Sequence, residues 1–262
     1  PEATVLPVTF LIRNSNSNGI KDIKIKDYIN GKFIIKSKLI IDEIKKNNYF
    51  INYQANQLFK NILQKVENTS IKLSEISTIS FGVKFYQVGK GIPEQTREIV
   101  DKKKYHHEKK VNSTCKMILK GRNISRYKLK QSGQWVEYGR WLAEPRNEKL
   151  FKGERILMRR IVNGRFRCAY INENYCNNSL LHTIKVDHSE FNTKYITALL
   201  NSKLFGFYFV NKFARDEDTF PEIRVREVND LPIKKSKDKL QKKLAKKVDI
   251  IIENNKELDR LK

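Results

Sequence analysis

Acidic residues are scarce in this chain of 262 residues: 29 Asp and Glu stand against 53 Lys and Arg, a formal net charge of +24. That imbalance argues against a cationic partner and makes a polyanion, nucleic acid first, the expected one. Cysteine is rarer still. Cys115, Cys168 and Cys176 form no CxxC pair, which excludes a disulfide framework or a zinc ribbon and suits reduced thiols in the cytoplasm. No run approaches 18 apolar residues, so nothing reads as a membrane-spanning helix, and no signal peptide is visible. None of the six prolines is adjacent to another. Gly89-Lys90-Gly91 lacks the Gly-Lys-Ser/Thr ending of a phosphate-binding P-loop and is compatible only with a backbone contact.

What is present is a hydrophobic share of 39% with 14 Phe and 11 Tyr, enough to bury a core. Abundant Ile, Lys and Asn are the mark of compositional drift, which explains part of the lysine excess. Drift removes arginine, however, and here the arginines cluster.

The periodicities predict an α+β fold: a twisted mixed β-sheet with packed helices, followed by a terminal amphipathic helix. Thr4–Ile12 and the alternation around Ile23 and Ile25 read as a hairpin turning at Asn14–Gly19, with Phe33–Ile35 a further strand and Lys38–Lys46 a short helix. Leu58, Phe59, Ile62, Leu63 and Val66 put a helix at Gln54–Val66. Strands are expected within Ile79–Tyr86 and at Arg155–Ile161, Arg165–Ile171 and Leu181–Val186, with turn residues at Asn163-Gly164. Tyr195–Phe213 reads as helix with Asn201-Ser202 as a candidate break. After Leu231-Pro232-Ile233, eight lysines in Lys234–Lys247 and a Leu/Ile/Val stripe mark the terminal helix, one side of a candidate coiled coil. The lysines there read as a solvated face before a DNA-contacting arm. Three units are expected: residues 1–50, 51–233 and 234–262. Pro1 falls in a strand-like run, so the chain reads as part of a longer protein.

Cations and aromatics interleave from Phe81 to Ile233, and three clusters carry the binding chemistry. Arg159, Arg160, Arg165 and Arg167, with Arg155, lie on the expected strands; guanidinium groups bind phosphates and read guanine edges, and ion pairing within the domain is the competing role. Lys120, Arg122, Arg126 and Lys128 flank Gly121, which lets backbone approach a phosphate. Trp135, Tyr138, Arg140, Trp141 and Arg146 offer planes for stacking, or for the core. Lys84, Tyr86 and Lys90 complete the candidate DNA-binding set.

No catalytic or metal-ligating set emerges. His106-His107-Glu108 has no further ligand at site-like spacing, and Asp216-Glu217-Asp218 with Glu222 reads as helix capping or salt bridging to Arg224 and Arg226. Four acid-x-lysine triplets suggest a Mg²⁺-dependent nuclease, but chance alone supplies about four at this composition. A nuclease and an RNA-binding or scaffold protein are the alternatives to DNA binding.

In order along the chain, Leu119-Lys120-Gly121-Arg122-Asn123-Ile124-Ser125-Arg126-Tyr127, Arg155–Arg160, Tyr175-Cys176-Asn177-Asn178-Ser179, Leu199–Leu204 and Leu231-Pro232-Ile233 resemble the TaqI-like C-terminal specificity domain. This is the target-recognition domain of adenine-specific DNA methyltransferases and of bacterial type II (IIG) restriction-modification enzymes. More distantly, the chain is similar to the recognition domains of type I specificity subunits. The resemblance spans roughly Leu73 to Ile233. It implies a module that grips duplex DNA and positions it for N6-adenine methylation by a methyltransferase domain of the same polypeptide. Residues 1–50 would be the edge of that domain, and the terminal helix would pack on a partner helix. S-adenosylmethionine is implied for the parent enzyme, and Mg²⁺ if it also cleaves. The Asn/Asp/Ser-Pro-Pro-aromatic tetrapeptide of such methyltransferases is absent from these residues, so no cofactor or catalytic residue is assigned to this chain.

Overall fold

The computed structural model describes residues 22–40, 57–162, 164–213 and 222–261. Strands β1 (Asp22–Ile29) and β2 (Lys32–Ile40) form an antiparallel hairpin. Its turn is Asn30-Gly31, with φ of +50° and +78°, the two successive positive values that only such residues accept readily. Tyr28 faces Phe33 across it, ring centroids 5.0 Å apart. The hairpin therefore turns at Asn30-Gly31. The expected turn at Asn14–Gly19 lies outside the described residues, and Lys38–Ile40, assigned above to a helix, continue β2.

Helix α1 (Gln57–Asn68) follows, then β3 (Ile71–Lys72), β4 (Ser77–Phe81), α2 (Arg97–Asp101), β5 (His106–His107) and β6 (Cys115–Leu119). Next come β7 (Ile124–Ser125), β8 (Lys128–Leu129), β9 (Trp135–Glu137), β10 (Arg155–Arg159), β11 (Cys168–Ile171), β12 (Cys176–Asn177) and β13 (Leu181–Val186). The described chain closes with α3 (Thr193–Leu200), α4 (Lys203–Phe213), α5 (Val225–Asn229), β14 (Pro232–Ile233) and α6 (Asp238–Arg260).

Two four-stranded sheets organise these elements into an α+β fold. The first runs β11-β10-β13-β4, antiparallel throughout; the second runs β12-β6-β9-β5, with β12 parallel to β6. The run Ile156-Leu157-Met158 lacks polar alternation because β10 is covered on both faces. Ile156 and Met158 join the core formed with the helices, while Leu157 joins a separate cluster with Leu119, Ile124 and Leu181. Tyr195, Ile196, Leu200, Phe205 and Phe209 bring α3 and α4 onto the first face. A further cluster, including Val83, Phe85, Ile118, Leu142 and Phe151, belongs to the second sheet.

The expected strand Ile79–Tyr86 divides between the sheets. It pairs with β13 up to Phe81, then bridges to Asn178 at Val83 and to Glu144 at Lys84. Gly82 makes the crossing possible, since a Cβ there would lie 2.1 Å from the Asn178 carbonyl oxygen. The helical segment expected over Tyr195–Phe213 is two helices, divided at the candidate break Asn201-Ser202. Asn201 breaks it by donating Nδ2 to the Cys168 carbonyl and accepting the Cys168 N–H, at 2.9 and 3.0 Å, as another strand would. The three cysteines are unpaired and buried.

Helix α6 packs on α3 through Gln241, Ala245 and Val248, with Lys194–Asp249 and Lys128–Asp259 ion pairs at its flanks. Lys239, Lys242, Lys243, Lys246 and Lys247 are exposed. No helix among the described residues is long and apolar enough to cross a membrane.

Candidate nucleic-acid interface

The seam between the two sheets opens into a hollow of about 300 Å³ lined by Lys120, Gly121, Arg122, Arg159, Ile161, Asn178 and Leu180. Each side is delivered by a different piece of the fold. Lys120 to Arg122 leave the end of β6, Arg159 ends β10 with Ile161 just beyond it, and Asn178 and Leu180 form the turn between β12 and β13. That turn is fixed from below by Asn177, fully buried, which accepts from the Thr183 hydroxyl at 2.9 Å.

The electrostatics of the hollow are one-sided. No carboxylate lines it. Burial lowers the Lys120 pKa, with further contributions from Arg122 and Lys103, and burial and then Arg167 lower that of Arg159. Arg122, Arg159, Arg165 and Arg167 have no ion-pair or side-chain hydrogen-bond partner among the described residues. Among the described residues the Lys120 ammonium donates to the Gln134 side-chain oxygen, at 2.6 Å, and to no carboxylate. A folded protein that holds like charges together without neutralising them sustains a repulsion that an anionic ligand relieves.

The remaining candidates divide by what already occupies them. Arg160 turns away from its neighbour: its guanidinium meets Glu222 at 2.8 Å and the Ser179 carbonyl at 3.0 Å, and lies 4.9 Å from the Phe81 ring centroid. Arg146 donates to the Gly82 carbonyl at 3.2 Å and pairs with Glu144 at 3.2 Å. Tyr138 is a core residue, its hydroxyl donating to the Arg146 carbonyl and its pKa pushed up to about 12, chiefly by burial. Trp141 packs beside that cluster with its indole N–H on the Glu137 carbonyl, 3.1 Å away. Lys128 pairs with Asp259. These five serve the fold directly, the role that composition alone could not distinguish from binding.

Arg126 lies against the Tyr127 ring, and Trp135 is half-buried in β9. Lys84 reaches Gln87 at 2.6 Å and stays exposed, as do Lys90 and Arg140. Tyr86 is held in the second sheet's aromatic group: its hydroxyl meets His106 Nδ1 at 2.9 Å, and burial above all raises its pKa to about 12. Burial, with help from Lys120, Lys103 and His107, lowers the His106 pKa to about 4. His107 pairs with Glu137 at 2.6 Å. Of the four acid-x-lysine triplets, Asp22-Ile23-Lys24, Asp101-Lys102-Lys103 and Glu108-Lys109-Lys110 do not line the hollow, whereas Glu43-Ile44-Lys45 and the acidic run at Asp216 lie outside the described residues.

Arg155 is the clearest departure from expectation. Grouped by sequence with the other arginines of the expected strands as a candidate DNA contact, it is fully buried and donates to the Gly153, Glu173 and Tyr175 carbonyls. Its pKa is lowered to about 10, first by burial, which leaves it charged at neutral pH. Sequence reading also missed Lys103, Ile161, Asn178 and Leu180. Only Asn178 carried a signal, as part of Tyr175–Ser179.

Residues 116–233, which contain the whole hollow, match the sequence model of the TaqI-like C-terminal specificity domain. Over this segment the chain is similar to that family. The specificity domain is a DNA sequence-recognition domain of restriction-modification systems, so the unpaired cations lie within a segment whose family role is reading DNA. No curated protein matches the chain. Among solved structures, an HsdS subunit from Thermoanaerobacter tengcongensis is similar over 85% of this chain and 47% of its own, at 11% identity and a TM-score of 0.39. The type IIL restriction-modification enzyme MmeI, solved with DNA, is similar over 72% of this chain and 29% of its own, at 11% identity and TM-score 0.48. A type I restriction-modification S subunit from M. genitalium is similar over 84% of this chain and 52% of its own, at 15% identity and TM-score 0.39. The chain thus spans about half or less of the length of these proteins.

Proposed function

We propose that this chain supplies sequence recognition to a restriction-modification enzyme, gripping duplex DNA through the basic hollow and the exposed cations around it. The observation that carries this reading is the set of unneutralised cations, Lys120, Arg122 and Arg159, lining one hollow inside the segment that matches the specificity domain, with the Arg167 charge acting on Arg159. The duplex would be presented for N6-adenine methylation by a methyltransferase part of the same polypeptide, with S-adenosylmethionine as that part's cofactor and Mg²⁺ if cleavage accompanies it. The resemblance to adenine-specific enzymes supports this finer assignment. Helix α6 exposes Leu240, Ile251 and Leu258, with Leu261 just past its end, at heptad spacing, which supports a partner helix there.

The test is fluorescence anisotropy of a labelled duplex with the chain across 50–300 mM salt, with structured RNA as competitor. A slope of log K against log salt of about −4, with duplex preferred, is the expected result. Salt-insensitive binding, or RNA outcompeting duplex, would replace the DNA reading.

A further inference from the structure

Three of the four polar side chains that line the hollow are donors only. Lys120, Arg122 and Arg159 have no acceptor atoms. Asn178 has one, and its Oδ1 already accepts from the Leu180 N–H at 3.3 Å. The apolar part of the lining is Ile161 and Leu180, 43% and 45% exposed. Arg159 is rooted in β10, the strand covered on both faces, with its backbone N–H on the Arg167 carbonyl at 3.0 Å. Its guanidinium is therefore carried at the end of a strand packed on both faces.

We propose that the hollow is a base-reading subsite for guanine, with Arg159 the specificity-determining residue. This deepens the DNA reading above and rests on it. In the major groove, guanine presents two acceptors, N7 and O6, and no donor; adenine and cytosine each present an amino donor that needs an acceptor. A lining dominated by donors satisfies both acceptors of guanine, finds only O4 on thymine, and offers the amino groups of adenine and cytosine little to pair with, which is the costly outcome for a desolvated polar group. The planar fork of an arginine matches the N7/O6 pair in a bidentate fashion. A backbone phosphate also takes donors, but it gains nothing from the Ile161 and Leu180 walls. Those walls suit the flat face of a base or a neighbouring thymine methyl.

The experiment selects bound sequences from a randomised duplex library with the wild-type chain and with Arg159→Gln, whose folding is checked by thermal melting. The wild type should enrich a motif containing a fixed G, and Arg159→Gln should lose about 10-fold or more of the preference at that one position while the others persist. Replacing that G by 7-deazaguanine, which removes N7, should weaken the wild type about 10-fold and leave the folded variant unaffected. A uniform loss of affinity with an unchanged motif would make Arg159 a phosphate contact and overturn the inference while leaving DNA binding intact. A motif with no fixed G, or one unchanged in affinity by the substitution, would overturn it as well. Absence of any duplex binding by the wild type would instead remove the DNA reading on which it stands.

Discussion

Arg159 and Arg160 are neighbours in sequence with opposite commitments, and burial of partners rather than residue type decides between them. Arg160 is held by Glu222, the Ser179 carbonyl and the Phe81 face. Arg160→Ala should therefore lower unfolding stability by about 1–2 kcal/mol in urea titrations, the value of a partly exposed charged hydrogen bond plus a cation–π contact. Arg122, exposed on the hollow's rim, should behave in the reverse way. Arg122→Ala should leave urea stability within about 0.5 kcal/mol of wild type, weaken duplex binding about 5-fold and reduce the salt slope by about one. Arg155 belongs with neither. Arg155→Ala leaves the Gly153, Glu173 and Tyr175 carbonyls without their buried donor, and a loss of about 3–5 kcal/mol is expected in the same titration.

At the scale of elements, the decisive contacts are side chains that stand in for backbone. Asn201 completes the edge of β11 through both polar groups of Cys168. Asn201→Leu keeps the volume and strands both buried groups, so a cost of about 2–4 kcal/mol should appear in denaturant titrations, with β11 amides exchanging first in hydrogen-exchange measurements. The first sheet was legible in the sequence because three of its strands are continuous apolar or alternating runs at 155–161, 165–171 and 181–186. So were α1 and the terminal helix, through their 3.6-residue spacing. The second sheet was not. Its strands are two to five residues long, and β12 pairs in parallel with the distant β6, so no local period betrays them. The Asn30-Gly31 turn was visible as chemistry, yet the richer turn composition at Asn14–Gly19 drew the hairpin upstream. The hollow was half legible: its cations were, but Ile161 and Leu180 are ordinary aliphatics until the sheet seam places them together.

For the molecule as a whole, a net charge of +24 makes acid a stress on the fold, because protonation adds repulsion to a chain already rich in cations. Two histidines sharpen this, one in each sheet. His182 is fully buried with Nε2 donating to the Ile223 carbonyl at 2.9 Å, while its Nδ1 has no partner. Burial depresses its pKa from 6.5 to about 4, and His106 is depressed to the same level, again first by burial. A histidine whose folded pKa lies below its unfolded value contributes stability that is fully present above about pH 6.5 and is lost as pH falls towards 4. For His182 the window is worth about 3 kcal/mol. Melting temperature should hold steady from pH 8 to 7 and then fall steeply between pH 6.5 and 4. His182→Gln keeps a donor for the Ile223 carbonyl but cannot titrate. It should melt lower than wild type at pH 7 and lose less between pH 6.5 and 4, so the two curves converge on acidification. Parallel curves would show instead that the acid loss comes from general repulsion, which added salt would screen.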